Sequence, residues 1–246
     1  MSGALAGRVA FVAGASGLIG RAVCRTLAAE GVRVVMQYRT NSGGLEGLVA
    51  EGHLAVQADF AAPGWQAAVA GALAQAAGAD ILVNTAHPAA GGAPVGELDP
   101  AVLRAHLEAA VLQAELAALV LPAMRAKRWG RIVYVAGALM ARLYPGMGAY
   151  GAAKAAGAVL TRSLALEEGR HGITANIVAP GRVVDPEAPP VVLDAKWQAL
   201  ADRLLERAAL GAFPGPDDVA EAVLGLVRAA GITGQTIWVT GGEPIT

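Results

Sequence analysis

The chain has 246 residues, of which 55% are hydrophobic and 16% charged, a composition that excludes disorder and suits a domain with a full buried core. Nineteen basic residues face twenty acidic ones, for a formal net charge of −1, so nothing electrostatic argues for nucleic acid or an anionic membrane as partner. The one cysteine, Cys24, excludes a disulfide framework or a cysteine-based metal site within the chain and reads as a buried structural thiol.

Residues 1–7 lack a basic segment followed by an apolar run, so no signal peptide is expected. An apolar strand is expected at residues 8–14, then a helix at 18–30. Strands follow at 32–38 and 54–58, a helix near 65–77, and a strand at 81–84. A long helical region covers 101–127. Its segment 109–124 comes nearest to a membrane span but is interrupted by Gln113 and Glu115, so a cytoplasmic protein is expected. A strand at 131–136, a helix at 149–170 and a strand at 174–179 come next. Helices near 191–209 and 216–230 precede a last strand at 236–239.

Near-continuous apolar strands alternating with amphipathic helices imply an α/β fold, a Rossmann-type doubly wound parallel sheet of about seven strands with helices on both faces. No repeat, charge block or linker divides the chain, so residues 1–246 read as one domain. Three prolines within 185–190 break the rhythm beyond a strand's carboxyl end, where open α/β sheets bind ligands, and mark a substrate-covering loop within about 183–214. Trp197 and Phe213 are candidate apolar walls of that pocket.

The first strand runs into Gly14-Ala15-Ser16-Gly17-Leu18-Ile19-Gly20 and a helix. Glycines there allow a tight turn and a close approach of phosphate, and the helix start offers free N–H groups to a pyrophosphate. The second strand ends Tyr38-Arg39-Thr40 without the acidic residue that NAD sites usually carry, whereas Arg39 suits a 2′-phosphate. NADP(H) is therefore favoured over NAD(H). Tyr150 and Lys154, four apart, share one helix face, and an ammonium beside a phenol favours the phenolate. A phenol pKa lowered toward neutrality is expected, which makes Tyr150 usable as an acid or base.

Over essentially its whole length the chain resembles the short-chain dehydrogenase/reductase family. The carriers are Gly14-x-x-Gly17-x-x-Gly20, Asp59, Asn84-Thr85-Ala86, Tyr150-Gly151-Ala152-Ala153-Lys154, Asn176 to Gly181, Gly234-Gln235 and Val239 to Gly242. The resemblance implies a cofactor site of Gly14, Ser16, Gly17, Leu18, Ile19, Gly20, Arg39, Asp59, Asn84, Ala86, Tyr150, Lys154, Pro180, Gly181 and Val183. It makes Tyr150 and Lys154 catalytic, with Lys154 also on the nicotinamide ribose. It further implies a homodimer or homotetramer built on the helices at 101–127 and 149–170.

The chain also departs from the family. The position of the usual catalytic serine, thirteen before the tyrosine, is Gly137, and the helix asparagine aligns with Ala109. Leu18 and Ala13 stand where most short members have glycine and threonine, Asp185 where a threonine is common, and His87 where a glycine ends the Asn-Asn-Ala-Gly segment. His87 and Tyr144 are candidates to donate to a substrate oxygen in place of the serine. An NADP-dependent ketoreductase acting on a small molecule with an already polarised carbonyl is the leading expectation. A redox-neutral dehydratase, isomerase or cyclase is the alternative, and a non-catalytic binding protein the third. No metal site is expected.

Overall fold

The computed structural model describes residues 4–87, 92–187 and 195–245, the last stretch without the side chains of 195–197. β1 (Val9–Ala13), β2 (Arg33–Tyr38), β3 (Leu54–Gln57), β4 (Ile81–Asn84), β5 (Gly130–Val135), β6 (Ile173–Pro180) and β7 (Thr236–Val239) form one parallel sheet in the order β3-β2-β1-β4-β5-β6-β7. Consecutive side chains on a strand point to opposite faces, and β1 shows why both faces are covered. Its Ala10 and Val12 pack with α1 (Leu18–Ala29) and α7 (Pro216–Arg228) through Val23, Leu27, Val223 and Val227. Its Val9, Phe11 and Ala13 pack on the opposite face with α3 (Trp65–Gln75) and α4 (Pro100–Lys127) through Val69, Leu73, Leu116 and Val120. Every residue of β1 is buried, as the continuous apolar run requires.

Strand order reverses between β1 and β4, so the loops after these two strands part and leave a crevice at the carboxyl edge. The helix α5 (Gly148–Glu168) lies against α4 and β6. The long α4 passes the length and hydropathy test for a membrane span, yet half of that apolar window is buried inside the fold, with His106 and Gln113 facing inward.

Two elements differ from the expectation. The helix near 191–209 is α6 (Ala195–Arg207), and residues 191–194 lie outside the described residues, as do 188–190 of the proline-rich loop. A five-residue helix, α2 (Glu46–Ala50), was not expected. It forms because the Glu46 carboxylate accepts from Gly44 N–H and Ser42 Oγ, closing a turn that has too few apolar residues to show a period.

Candidate active site

The residues expected to form the site converge on the carboxyl edge. Gly14 to Gly20 follow β1, Arg39 follows β2, Asp59 follows β3, Asn84 ends β4 with Ala86 beyond it, and Pro180 ends β6 with Gly181 and Val183 beyond it. The glycines answer to sterics. Gly14 has φ +76°, and a Cβ there would stand 2.8 Å from Thr85 Oγ1; a Cβ on Gly20 would stand 2.1 Å from the Gly14 carbonyl oxygen. Gly17 caps α1 without a side-chain hydrogen bond, so the first N–H groups of that helix stay open, as an anionic pyrophosphate requires. The buried Gln37 holds the bend from the neighbouring strand. Its Oε1 accepts from Gly14 N–H at 2.8 Å, and its Nε2 donates to the Ala58 carbonyl at 2.6 Å. This clamp was not foreseen, because a lone glutamine in an apolar strand carries no local signal.

Arg39 is exposed, and among the described residues its guanidinium has no carboxylate partner. Asp59 is also exposed, its carboxylate accepting from Ala61 N–H at 3.0 Å. Asp185 accepts from Glu187 N–H at 2.9 Å and lines a groove with Leu18, Arg21 and Phe213. Asn84 is fully buried and acts as a strut. Its Nδ2 donates to Gln113 Oε1 at 2.9 Å, and Gln113 Nε2 donates to Thr161 Oγ1 at 3.3 Å, which ties β4, α4 and α5 together.

Tyr150 opens on a cavity of about 220 Å³ lined by Leu139, Arg142, Tyr144, Met147, Leu200 and Leu204. Tyr144 is thus on the cavity, and His87 is not. Phe213 lies in the neighbouring groove, and the side chain of Trp197 lies outside the described residues; the apolar wall that α6 supplies is Leu200 and Leu204. Arg142 is ion-paired with the buried Glu243 of the C-terminal segment, a contact 101 positions apart in sequence.

Gly137 stands beside the Tyr150 hydroxyl, where a Cβ would lie 2.9 Å from Oη. The phenol thus occupies part of the space a side chain at position 137 would need. Lys154 is buried, donates from Nζ to the Val135 carbonyl at 2.9 Å, and lies 5.7 Å from the centre of the Tyr150 ring. Gly157 leaves room for the ring of Tyr134, which lies 5.2 Å from the same Nζ.

The expected electrostatics of this pair are overturned. Burial pushes the Tyr150 phenol up to about 12, and burial pushes the Lys154 ammonium down to about 7. The spacing does bring the pair onto one face, but Lys154 is buried and Tyr150 is half-buried at the edge of the cavity, and desolvation disfavours the charged form of each. Burial thus favours the neutral phenol over the phenolate in this site.

His87 lies with its ring edge-on to Tyr150, the centroids 4.7 Å apart, and its Nε2 is 3.0 Å from Nδ1 of the buried His106. Burial, then the charge of Lys154 and of His106, push His87 down to about 3. His106 was missed, although its spacing to Ala109 and Gln113 places all three on one face of α4.

The short chain dehydrogenase family model matches residues 8–189. A chloroplastic NADPH-dependent aldehyde reductase-like protein of Arabidopsis thaliana is 31% identical, over 97% of this chain and 94% of its own. A 3-oxoacyl-[acyl-carrier-protein] reductase of Staphylococcus aureus is 32% identical, over 95% of this chain and 96% of its own. Among solved structures, an oxidoreductase of the short chain dehydrogenase/reductase family from Burkholderia thailandensis superposes with a TM-score of 0.81 at 33% identity, covering 96% of this chain and 92% of that one.

Proposed function

The chain belongs to the short-chain dehydrogenase family, and from that premise we propose that it is an NADP(H)-dependent oxidoreductase that reduces the carbonyl of a small molecule. The observation that carries this reading is the Tyr150 phenol, which opens on a cavity with Lys154 Nζ 5.7 Å from the centre of its ring. A protonated phenol is what carbonyl reduction asks for, since the oxygen gains a proton as the carbon gains hydride. NADPH, when bound, supplies the hydride.

The residues present fit that cofactor. The Gly14–Gly20 bend and the open start of α1 would hold the pyrophosphate, with Ser16, Leu18 and Ile19 along it. Arg39 would meet the 2′-phosphate and Asp59 the adenine, while Asn84 holds Ala86 in place through its Oδ1 at 3.1 Å. Pro180, Gly181 and Val183 would line the nicotinamide end, and Lys154 would face its ribose. Tyr150 gives its proton to the carbonyl oxygen. With no hydroxyl at position 137, the substrate has to bring an activated carbonyl, an aldehyde or a β-keto group, and the apolar wall of Leu139, Met147, Leu200 and Leu204 suits a hydrocarbon body. Homologues named as aldehyde and 3-oxoacyl reductases support this choice. The exposed Leu107 and Val111 of α4, with Val159 and Leu166 of α5, support a homodimer or homotetramer, which light scattering on the eluting protein would measure.

The test is loss of absorbance at 340 nm when NADPH is mixed with the protein and an aldehyde or a 3-oxoacyl thioester. Tyr150→Phe is expected to lose roughly 10²–10⁴ in rate, and Arg39→Ala to abolish the preference for NADPH over NADH. A Tyr150→Phe variant with the wild-type rate would refute the reading.

A further inference from the structure

Two of the side chains lining the Tyr150 cavity are arginines, Arg142 and Arg182, and no carboxylate lines it. Arg142 stands on the loop after β5, where its backbone N–H donates to the Ala138 carbonyl at 2.9 Å. Its guanidinium meets the buried Glu243 carboxylate, which balances that charge within the protein. Arg182 follows the Pro180-Gly181 end of β6 and is half-buried. Among the described residues it has no ion pair; Asp185, Asp217 and Asp218 line the neighbouring groove, and none of them pairs with it. Its guanidinium carbon stands 5.6 Å from the centre of the Phe213 ring, a contact that holds the group in place without cancelling its charge. Arg182 therefore leaves one uncompensated positive charge on a wall that is otherwise largely hydrocarbon, from Leu139, Met147, Leu200 and Leu204. A half-buried charge without a counter-ion is costly in such a wall, and an anion beside it removes the cost.

We propose that Arg182 is the receptor for a substrate carboxylate, so that the cavity takes a free 3-oxo acid and returns the 3-hydroxy acid. The inference rests on the reductase reading above and names its substrate class: the β-keto group called for there, carried by a free acid instead of a neutral ester or thioester. The planar fork of the guanidinium offers two parallel N–H donors to the two oxygens of a carboxylate. The cavity is small, about 220 Å³, so a substrate anchored at Arg182 keeps its ketone within the space that Tyr150 also faces. The hydrocarbon tail lies against the leucines. A monoanion balances the single charge of Arg182, whereas a phosphoryl group, near −2, overfills it. Arg142 adds no second receptor, because Glu243 already answers it.

The test compares 3-oxohexanoate with its methyl ester, one charged and one neutral, by NADPH oxidation. The wild type is expected to favour the acid in kcat/KM by about 10–100-fold, the worth of a charge-assisted contact, with the difference in KM. Arg182→Gln is expected to bring the ratio of acid to ester near one, and Arg182→Lys to keep part of it. Because Arg182 pairs with no carboxylate, neither substitution strands a buried partner. Equal kcat/KM for acid and ester in the wild type overturns the proposal, as does a ratio that Arg182→Gln leaves standing. A rise in KM for NADPH in Arg182→Gln assigns the arginine to the cofactor and overturns it as well. Binding without chemistry supplies a second readout: hexanoate and hexanamide, which have no ketone to reduce, titrated by calorimetry with and without NADP⁺. The wild type should bind hexanoate the more tightly and Arg182→Gln should bind the two alike; equal affinities in the wild type overturn the carboxylate site. If the wild type oxidises NADPH with neither acid nor ester, the reductase reading has failed, and the hexanoate titration still decides which charge the cavity takes.

Discussion

Gly137→Ala tests the geometry of the phenol directly. The backbone at Gly137 is extended, with φ 176°, a conformation that any residue adopts, so the effect of the substitution is purely spatial. The new methyl would lie 2.9 Å from Tyr150 Oη and 3.4 Å from Cε1. A comfortable carbon–oxygen contact is about 3.5 Å, so the hydroxyl has to retreat by roughly half an ångström. The ring has little room, because His87 packs against it edge-on at 4.7 Å. Overpacking of this kind costs about 1–3 kcal/mol, and a displaced reacting group loses up to about 10²-fold in rate per ångström. We expect Gly137→Ala to lower kcat about tenfold and to lower Tm, measured by NADPH oxidation and by thermal melting. Gly137→Ser should recover part of the loss, since its hydroxyl can hydrogen-bond the phenol it crowds. A Gly137→Ala enzyme with unchanged kcat and Tm would show that the phenol does not occupy that space, and the site geometry would be wrong.

Gln37→Leu leaves Gly14 N–H and the Ala58 carbonyl without their buried partner. At about 1–3 kcal/mol for each unsatisfied group, the loss should read as a lower midpoint in urea together with weaker NADPH binding by calorimetry; binding unchanged beside lost stability would separate the clamp from the cofactor turn. Gly157→Ala drives a methyl to 2.5 Å from Tyr134 Cζ, a fully buried ring carbon, so a destabilisation of about 2 kcal/mol or more is expected by denaturant titration. An unperturbed midpoint would contradict that packing. Lys154→Met carries a pH signature. The folded state holds the lysine at about 7 against its ordinary 10.5, so the folded chain binds fewer protons than the unfolded one between these values, and stability rises with pH there. The handicap is full below pH 7 and lifts toward pH 10. The melting advantage of Lys154→Met over wild type should therefore shrink from pH 7 to pH 10, by at most about 4 kcal/mol at roughly 1.4 per pH unit. An advantage that stays constant across that window would place Lys154 in water.

Spacing and periodicity carried the sequence reading as far as relations along one element reach. Tyr150 and Lys154 fall on one face because four residues make a helical turn, and β1 ends in Gly14 because an apolar run must turn at the sheet edge. What the pattern did not carry was the sign of the phenol shift. Spacing says that the ammonium is near, but the sign depends on how much water both groups lose, and that is set by β5, α4 and the loops together. The same limit hid Gln113, which breaks an apolar helix in sequence and bridges Asn84 to Thr161 in space. It also hid Arg142 and Glu243, which only the fold brings together.

These contacts change how the two missing side chains should be understood. A site that had simply decayed would be expected to leave voids at positions 109 and 137, because small residues there would no longer be opposed by anything selected to fit. Instead the hydroxyl of Tyr150 fills the space beside Gly137, and the face of α4 that carries Ala109 also carries His106 and Gln113, each joined to a residue at or beyond the end of β4. Tight packing of polar groups around a half-buried phenol has a cost that a purely apolar interior would avoid. Its presence argues that the small residues and the imidazoles form one arrangement, in which the phenol lies against the glycine and the histidines pack on its ring from the β4 and α4 side. The coupling is measurable: if it holds, the penalties of Gly137→Ala and His87→Ala on kcat will be less than additive in the double variant, because removing the imidazole gives the displaced ring somewhere to go.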